Sequence, residues 1–175
     1  MATIPSYLLS LAGEYRVCSE LIKRGVFVTM TYGNRKEVDV YAISDRQKRA
    51  VKIEVKTIQQ DRFVTNITRK GLDKARDAPD FWVLFQTQHR EDDTFNERFF
   101  ILTHQEICKA QRDRNEPNEA NYFAKHGKPR DPSKSVDTLS TEHVKQYENK
   151  WSTILEGIGR SALAGAERSS AVSGH

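Results

Sequence analysis

Apolar residues along this chain recur with two different periods, and each change of period marks an expected element boundary. In residues 6–24, Leu8, Leu11, Ala12, Tyr15, Cys18 and Ile22 return at helical spacing, which predicts a helix with these residues on its core face. Gly25 follows, as expected just past a helix C-terminus. The period then falls to two. Residues 26–30 form a short β-rich run, and 31–36, with Gly33 and Asn34, read as a turn. Residues 37–43 and 50–57 both alternate polar with apolar positions. A short charged turn at 44–49 separates them, which predicts a hairpin.

Residues 58–80 are polar and basic, with a short helix expected near their end. The continuous apolar run 81–85 predicts a strand covered on both faces. A charged loop at 88–96 and a strand at 98–102 follow. Thr103 and Glu106 are spaced as a capping box, so a helix is expected to run to about residue 112. Residues 113–138, rich in Asn, Pro, Lys and Asp, read as a long loop. Ser140 is placed to cap a last helix with Val144, Tyr147, Trp151, Ile154, Leu155 and Ile158 on one face. From about residue 160 the chain is mostly Ser, Ala and Gly. The order of elements predicts an α/β domain over residues 1–159, with a central mixed sheet of about five strands flanked by helices. Residues 160–175 are expected to be a disordered tail.

Composition narrows the class. At 175 residues, 37% hydrophobic and 30% charged, the chain has the makeup of a soluble globular protein. No apolar run approaches the ~20 residues of a membrane span, and the first five residues lack a secretory pattern. Two cysteines, Cys18 and Cys108, imply no disulfide framework, so a reducing cytoplasm is the expected location. A net charge of +4 and a pI near 9.1 are compatible with a nucleic-acid partner.

The chemistry concentrates in residues 37–57. In the second run of the hairpin, Val51, Ile53 and Val55 fall on one face and Lys52, Glu54 and Lys56 on the other. In the first run, Glu37, Asp39 and Tyr41 share a face. Pairing the two runs lets Asp39, Glu54 and Lys56 converge. Two neighbouring carboxylates repel, and a divalent cation is their natural companion. A lysine beside them can counter phosphate charge or hold an attacking water. On the first helix Glu14 lies at the edge of the apolar arc, where a carboxylate needs a partner. Glu20 is expected to face water.

Gly13-Glu14, the stretch Glu20-Leu21-Ile22-Lys23-Arg24-Gly25, Val38-Asp39-Val40 and Ile53-Glu54-Val55-Lys56-Thr57 together resemble the PD-(D/E)XK, or restriction-endonuclease-like, nuclease superfamily. They are most similar in flavour to small prokaryotic members of the Holliday-junction-resolvase and Mrr kinds. The resemblance covers roughly residues 6–57. It implies Asp39 and Glu54 as metal ligands joined by the Val55 carbonyl, Lys56 as the catalytic lysine and Glu14 as the helix-borne acid. It further implies Mg2+, with Mn2+ as a substitute, and DNA as the partner. Candidate DNA contacts are Arg35, Lys36, Gln59, Arg62, Arg69 and Lys70. Val38 stands where the motif's name has proline.

Plainer readings stand beside these. Lys52, Glu54 and Lys56 also fit a solvated strand face with cross-strand ion pairs. Trp82, Phe85, Phe99 and Phe100 read as core, and Cys18 as packing. The five histidines have no paired metal spacing, and two distant cysteines do not make a zinc site. Three functions compete. They are a Mg-dependent DNA endonuclease in repair, recombination or defence, a non-catalytic nuclease-fold DNA-binding or regulatory protein, and a nuclease acting on RNA. No separate recognition domain is evident, which favours structure-selective or nonspecific cutting. The late helix either closes the core or pairs with a second copy in a homodimer.

Overall fold

The computed structural model describes residues 4–31, 38–44, 49–131 and 136–159. The turn containing Gly33 and Asn34, the candidate contacts Arg35 and Lys36, residue Glu37, positions 45–48 and the expected tail lie outside the described residues. In chain order the elements are α1 (Ser6–Lys23), β1 (Phe27–Met30), β2 (Val40–Ser44), β3 (Arg49–Ile58) and β4 (Arg62–Val64). Then come a 3-10 turn (Leu72–Lys74), β5 (Phe81–His89), β6 (Phe95–Thr103), α2 (His104–His126) and β7 (Thr138–Ser140). The described chain finishes with α3 (Thr141–Val144), a second 3-10 turn (Lys145–Tyr147) and α4 (Ser152–Gly157). No described helix is long and apolar enough to cross a membrane.

Five strands form a mixed sheet in the order β1-β2-β3-β5-β6, in which β3 and β5 run parallel and the other pairs antiparallel. The expected hairpin is the β2–β3 pair. The strand expected at 81–85 is central and covered on both faces, since Phe81, Val83 and Phe85 enter one core and Trp82 and Leu84 the other. The first core packs β3 residues Val51, Ile53 and Val55 against Val17 and Leu21 of α1. The second packs Trp82, Phe100 and Leu102 against Ile107 and Cys108 of α2.

Alternation along β3 therefore sends Glu54 and Lys56 to the α2 side of the sheet. Trp82, Phe85, Phe99 and Phe100 are all buried, as expected.

Four expectations are corrected. The buried stripe of α1 is Gly13, Val17, Cys18 and Leu21, whereas Leu8, Tyr15 and Ile22 are exposed. The cause is Gly13. A Cβ built there would lie 1.8 Å from the Thr57 hydroxyl of β3, so only a hydrogen lets α1 settle this closely and fix its rotation. Hydrophobic periodicity cannot register such a contact. Second, α2 does not stop near residue 112 but continues through Pro117 to Gly127, whose φ of 65° caps it. The Lys109–Asp113 ion pair and the Asn118 amide on the Arg114 carbonyl support the turns around the proline.

Third, β4 and β7 pair antiparallel within segments expected to be loop, and seat Phe63 and Leu139 in the second core. Fourth, the late helix is broken. Asn149, at φ 55°, donates its N–H to the Phe99 carbonyl, and Glu148 bridges to Phe100 at the β6 edge. The chain thus steps over the sheet edge. Val144 lies in the α2-side core, and Trp151, Ile154 and Ile158 lie in the α1-side core. The late stripe closes the core with these four residues, the first of the two roles considered for it.

The Gly13–Thr57 approach is testable by stability. Gly13→Ala is expected to cost about 1–3 kcal/mol, the usual range for overpacking. The loss should be smaller in a Thr57→Ala background. Urea unfolding of the four proteins measures this. A Gly13→Ala variant as stable as wild type would contradict the contact.

Candidate active site

The site is built on the β2–β3 pair. The paired register begins at Val40, opposite Ile53, and Asp39 stands just before β2, where its own hydrogen bonds rather than the strand pairing place it beside β3. Two hydrogen bonds fix this end of the hairpin. The Asp39 N–H donates to the Ile53 carbonyl at 3.2 Å, and the Val55 N–H donates to Asp39 Oδ2 at 2.7 Å. In a strand the carbonyl and N–H of one residue leave on the same side. The Val55 carbonyl therefore also faces Asp39. Glu54 is only 6% exposed and accepts a hydrogen bond from Lys56 Nζ. The parallel register sets Glu54 beside Trp82, and Lys56 Nζ lies 6.0 Å from the centre of that indole ring. The pairing of a tryptophan from the core with this lysine follows from the order of strands, which no local pattern in the sequence specifies.

α1 supplies the third acid. Gly13 brings the helix backbone against Thr57 and so carries the adjacent Glu14 toward the carboxylates. Burial pushes the Glu14 carboxyl up from its ordinary 4.5 to about 7, with Asp39 and then Glu54 adding to the rise and Lys56 opposing it. Glu54 is likewise raised, first by burial and also by Asp39, against the pull of Lys56 and Lys70. Asp39, Glu54 and Lys56 thus act on Glu14 electrostatically, and Asp39 and Lys56 act on Glu54. They do not form a closed cage: among the described residues no three His, Cys, Asp or Glu side chains gather tightly enough to hold a metal ion. Two carboxylates and a carbonyl suit a hard, hydrated cation such as Mg2+, which keeps several of its waters. They do not suit zinc.

The remaining candidates are spread out. Gln59 is half-buried, and Arg62, Arg69 and Lys70 are exposed. Among these described cations, Lys70 is the one whose charge acts on Glu54.

Glu20 does not simply face water. It accepts hydrogen bonds from Lys23 and Arg24, which hold its carboxyl below the usual range, and Arg24 lies over Trp151. Cys18 is buried, and burial followed by the Glu14 charge pushes its thiol up to about 11, in keeping with a packing role.

Two structural acids escaped the sequence reading. Asp80 accepts from the Lys52 N–H at 2.7 Å and fixes β3 beside the start of β5. Asp137 is 3% exposed and accepts from the Thr68 and Arg69 N–H groups and the Asn115 amide. Neither lies in a motif, because each serves backbone groups distant in sequence.

A pH measurement tests the Glu14 environment. With its carboxyl near 7 when folded and near 4.5 when unfolded, the folded chain binds more protons between those values. Its contribution to stability therefore declines as pH rises through this window and is constant above it. In EDTA, the urea midpoint of Glu14→Gln minus that of wild type is expected to grow from about pH 4.5 to 7. A difference that stays flat with pH would contradict the assignment.

No protein-family model matches the chain, and no curated protein matches it. Among solved structures it is similar to I-Ssp6803I, a bacterial homing endonuclease, at 14% identity and a TM-score of 0.47, over 87% of this chain and 94% of that one.

Proposed function

We propose that this chain is a divalent-metal-dependent nuclease of the PD-(D/E)XK kind that hydrolyses DNA phosphodiester bonds. The supporting observation is the Asp39 carboxylate held by the Val55 N–H next to a buried Glu54, which itself accepts from Lys56. Gathering these acids costs stability, because burial and mutual repulsion hold the Glu14 and Glu54 carboxyls above their ordinary values. A surface that only binds DNA needs no such cluster, whereas catalytic sites concentrate perturbed acids.

Asp39, Glu54 and the Val55 carbonyl would hold Mg2+, with Mn2+ as a substitute. When bound, that ion would neutralise phosphate charge and acidify water. Lys56, kept on the site by Glu54 and by the indole face of Trp82, stabilises the charge that grows on the phosphate oxygens. Glu14, with its carboxyl near 7, is suited to take the proton lost by the attacking water. The water oxygen forms the new P–O bond, and the bridging P–O bond breaks.

The decisive assay compares wild type with three variants on supercoiled, branched and single-stranded DNA and on RNA, in Mg2+, Mn2+ or EDTA. Asp39→Ala and Glu54→Ala are expected to abolish cleavage while circular dichroism stays native. Lys56→Ala is expected to lose ~10²–10³ in single-turnover rate, the usual cost of one electrostatic donor. Its DNA affinity in Ca2+ should stay within a few-fold, since the lysine acts mainly on charge that develops in the transition state. A variant that cuts as fast as wild type would remove that residue from the site. Wild type that binds but never cuts would favour the non-catalytic reading, and cleavage confined to RNA would move the substrate.

A further inference from the structure

The core-facing stripe of α2 changes chemistry part-way along the helix. Its first turns bury Ile107, Ala110 and Gln111. The same stripe then continues as Arg114, Asn118, Asn121 and Lys125, at steps of four, three and four residues. These side chains line a groove of about 470 Å³, which Arg130 closes from beyond the helix end. Among the described residues no carboxylate lines it. By helical period Glu116 falls on the opposite side, Asp113 lies on the flank in an ion pair with Lys109, and Glu119 lines an adjoining pocket with Asn118 and Arg130. Arg130 is held in place, its guanidinium 5.4 Å over the Tyr122 ring, and that ring also packs on His126 at 4.3 Å. Tyr122 therefore positions a cation.

The groove is mounted firmly on the rest of the fold. The Gln111 amide donates to Asn115 at 3.0 Å, and the Asn115 amide donates to buried Asp137 at 3.0 Å. Asp137 in turn accepts from the Thr68 and Arg69 N–H groups at 2.7 and 3.2 Å. Lys70, the next residue, acts on Glu54. A chain of part-buried polar contacts, centred on the buried Asp137, thus ties the groove to the segment beside the carboxylates, on the face of the sheet that carries Glu54 and Lys56.

We propose that this groove grips the phosphate backbone of a DNA duplex away from the carboxylates, as a second, sequence-independent contact. Residues 114–125 span ~16 Å of helix. At ~3.4 Å per nucleotide of one strand, that matches about five nucleotides. Arg114, Lys125 and Arg130 can each pair with a phosphate, and the Asn118 and Asn121 amides between them can donate to phosphate and sugar oxygens. A membrane is a poorer occupant, because a helix that lies on lipid needs an apolar face beside its cations. The choice of DNA rests on the proposed function, but the grip requires no cleavage.

The test is binding of a 30-base-pair duplex in EDTA, by fluorescence anisotropy from 50 to 200 mM salt. Wild type is compared with an Arg114→Gln, Lys125→Gln, Arg130→Gln triple variant whose urea midpoint matches wild type. Removing three phosphate contacts should reduce the slope of log affinity against log salt by about 2–3 units. Affinity at 100 mM salt should fall at least tenfold. Unchanged slope and affinity would overturn the proposal, as would a wild type that binds no duplex. So would wild type that binds phosphatidylserine vesicles in preference to DNA and loses that binding in the variant. Cleavage in Mg2+ separates the two ideas. Groove-dependent binding without cutting spares the grip and removes the nuclease, whereas cutting with groove-independent binding does the reverse.

Discussion

The hydrogen bond from the Val55 N–H to the Asp39 carboxylate is the constraint on which the site depends. It pins an acid just before β2 against the edge of β3 next to Glu54, and the Val55 carbonyl leaves the strand on the same side. Like charges held this way oppose folding, so the surrounding structure has to enforce the arrangement. The parallel β3–β5 pairing sets Trp82 beside Glu54, the Lys56 ammonium neutralises part of the buried charge, and Gly13 permits α1 to bring Glu14 within range. Each of these features lies in a well-packed part of the fold. An acid cluster placed on loops would relax apart, whereas one anchored to a central strand and a docked helix cannot.

Much of this was legible in the sequence, for physical reasons. The hairpin was readable because every second residue of β2 and β3 enters the α1-side core, which enforces a period of two and sends Glu54 and Lys56 to the other face. The central strand at 81–85 was readable because both its faces are buried. The rotation of α1 was not, because it is set by the absence of a side chain at Gly13, and absence carries no hydrophobic signal. The late segment was half legible. Val144, Trp151, Ile154 and Ile158 are all buried, but a single helix was the wrong geometry for them, since the chain crosses from one face of the sheet to the other at Asn149.

The length of α2 was hidden by its own polarity. Beyond Gln111 the helix has almost nothing apolar to bury, so asparagines and Pro117 read as loop. Its extension is sustained locally by side-chain contacts and the Gly127 cap, and by the Asn115–Asp137 bond that ties it to the β4–β7 pair. Those strands, three residues each, are too short for any periodicity to register. The long polar helix and the small sheet are two parts of one unrecognised unit, and the buried Asp137 holds them together.

The most direct test of the central idea, that Asp39 and Glu54 are gathered to receive a divalent cation, needs no substrate. Urea unfolding at pH 7 is followed with increasing Ca2+ or Mg2+, since an ion that binds only the folded chain stabilises it in proportion to the logarithm of its concentration. The expected result is a rising midpoint for wild type and a flat one for Asp39→Asn. Equal stabilisation of both proteins, or none of either, would contradict the site.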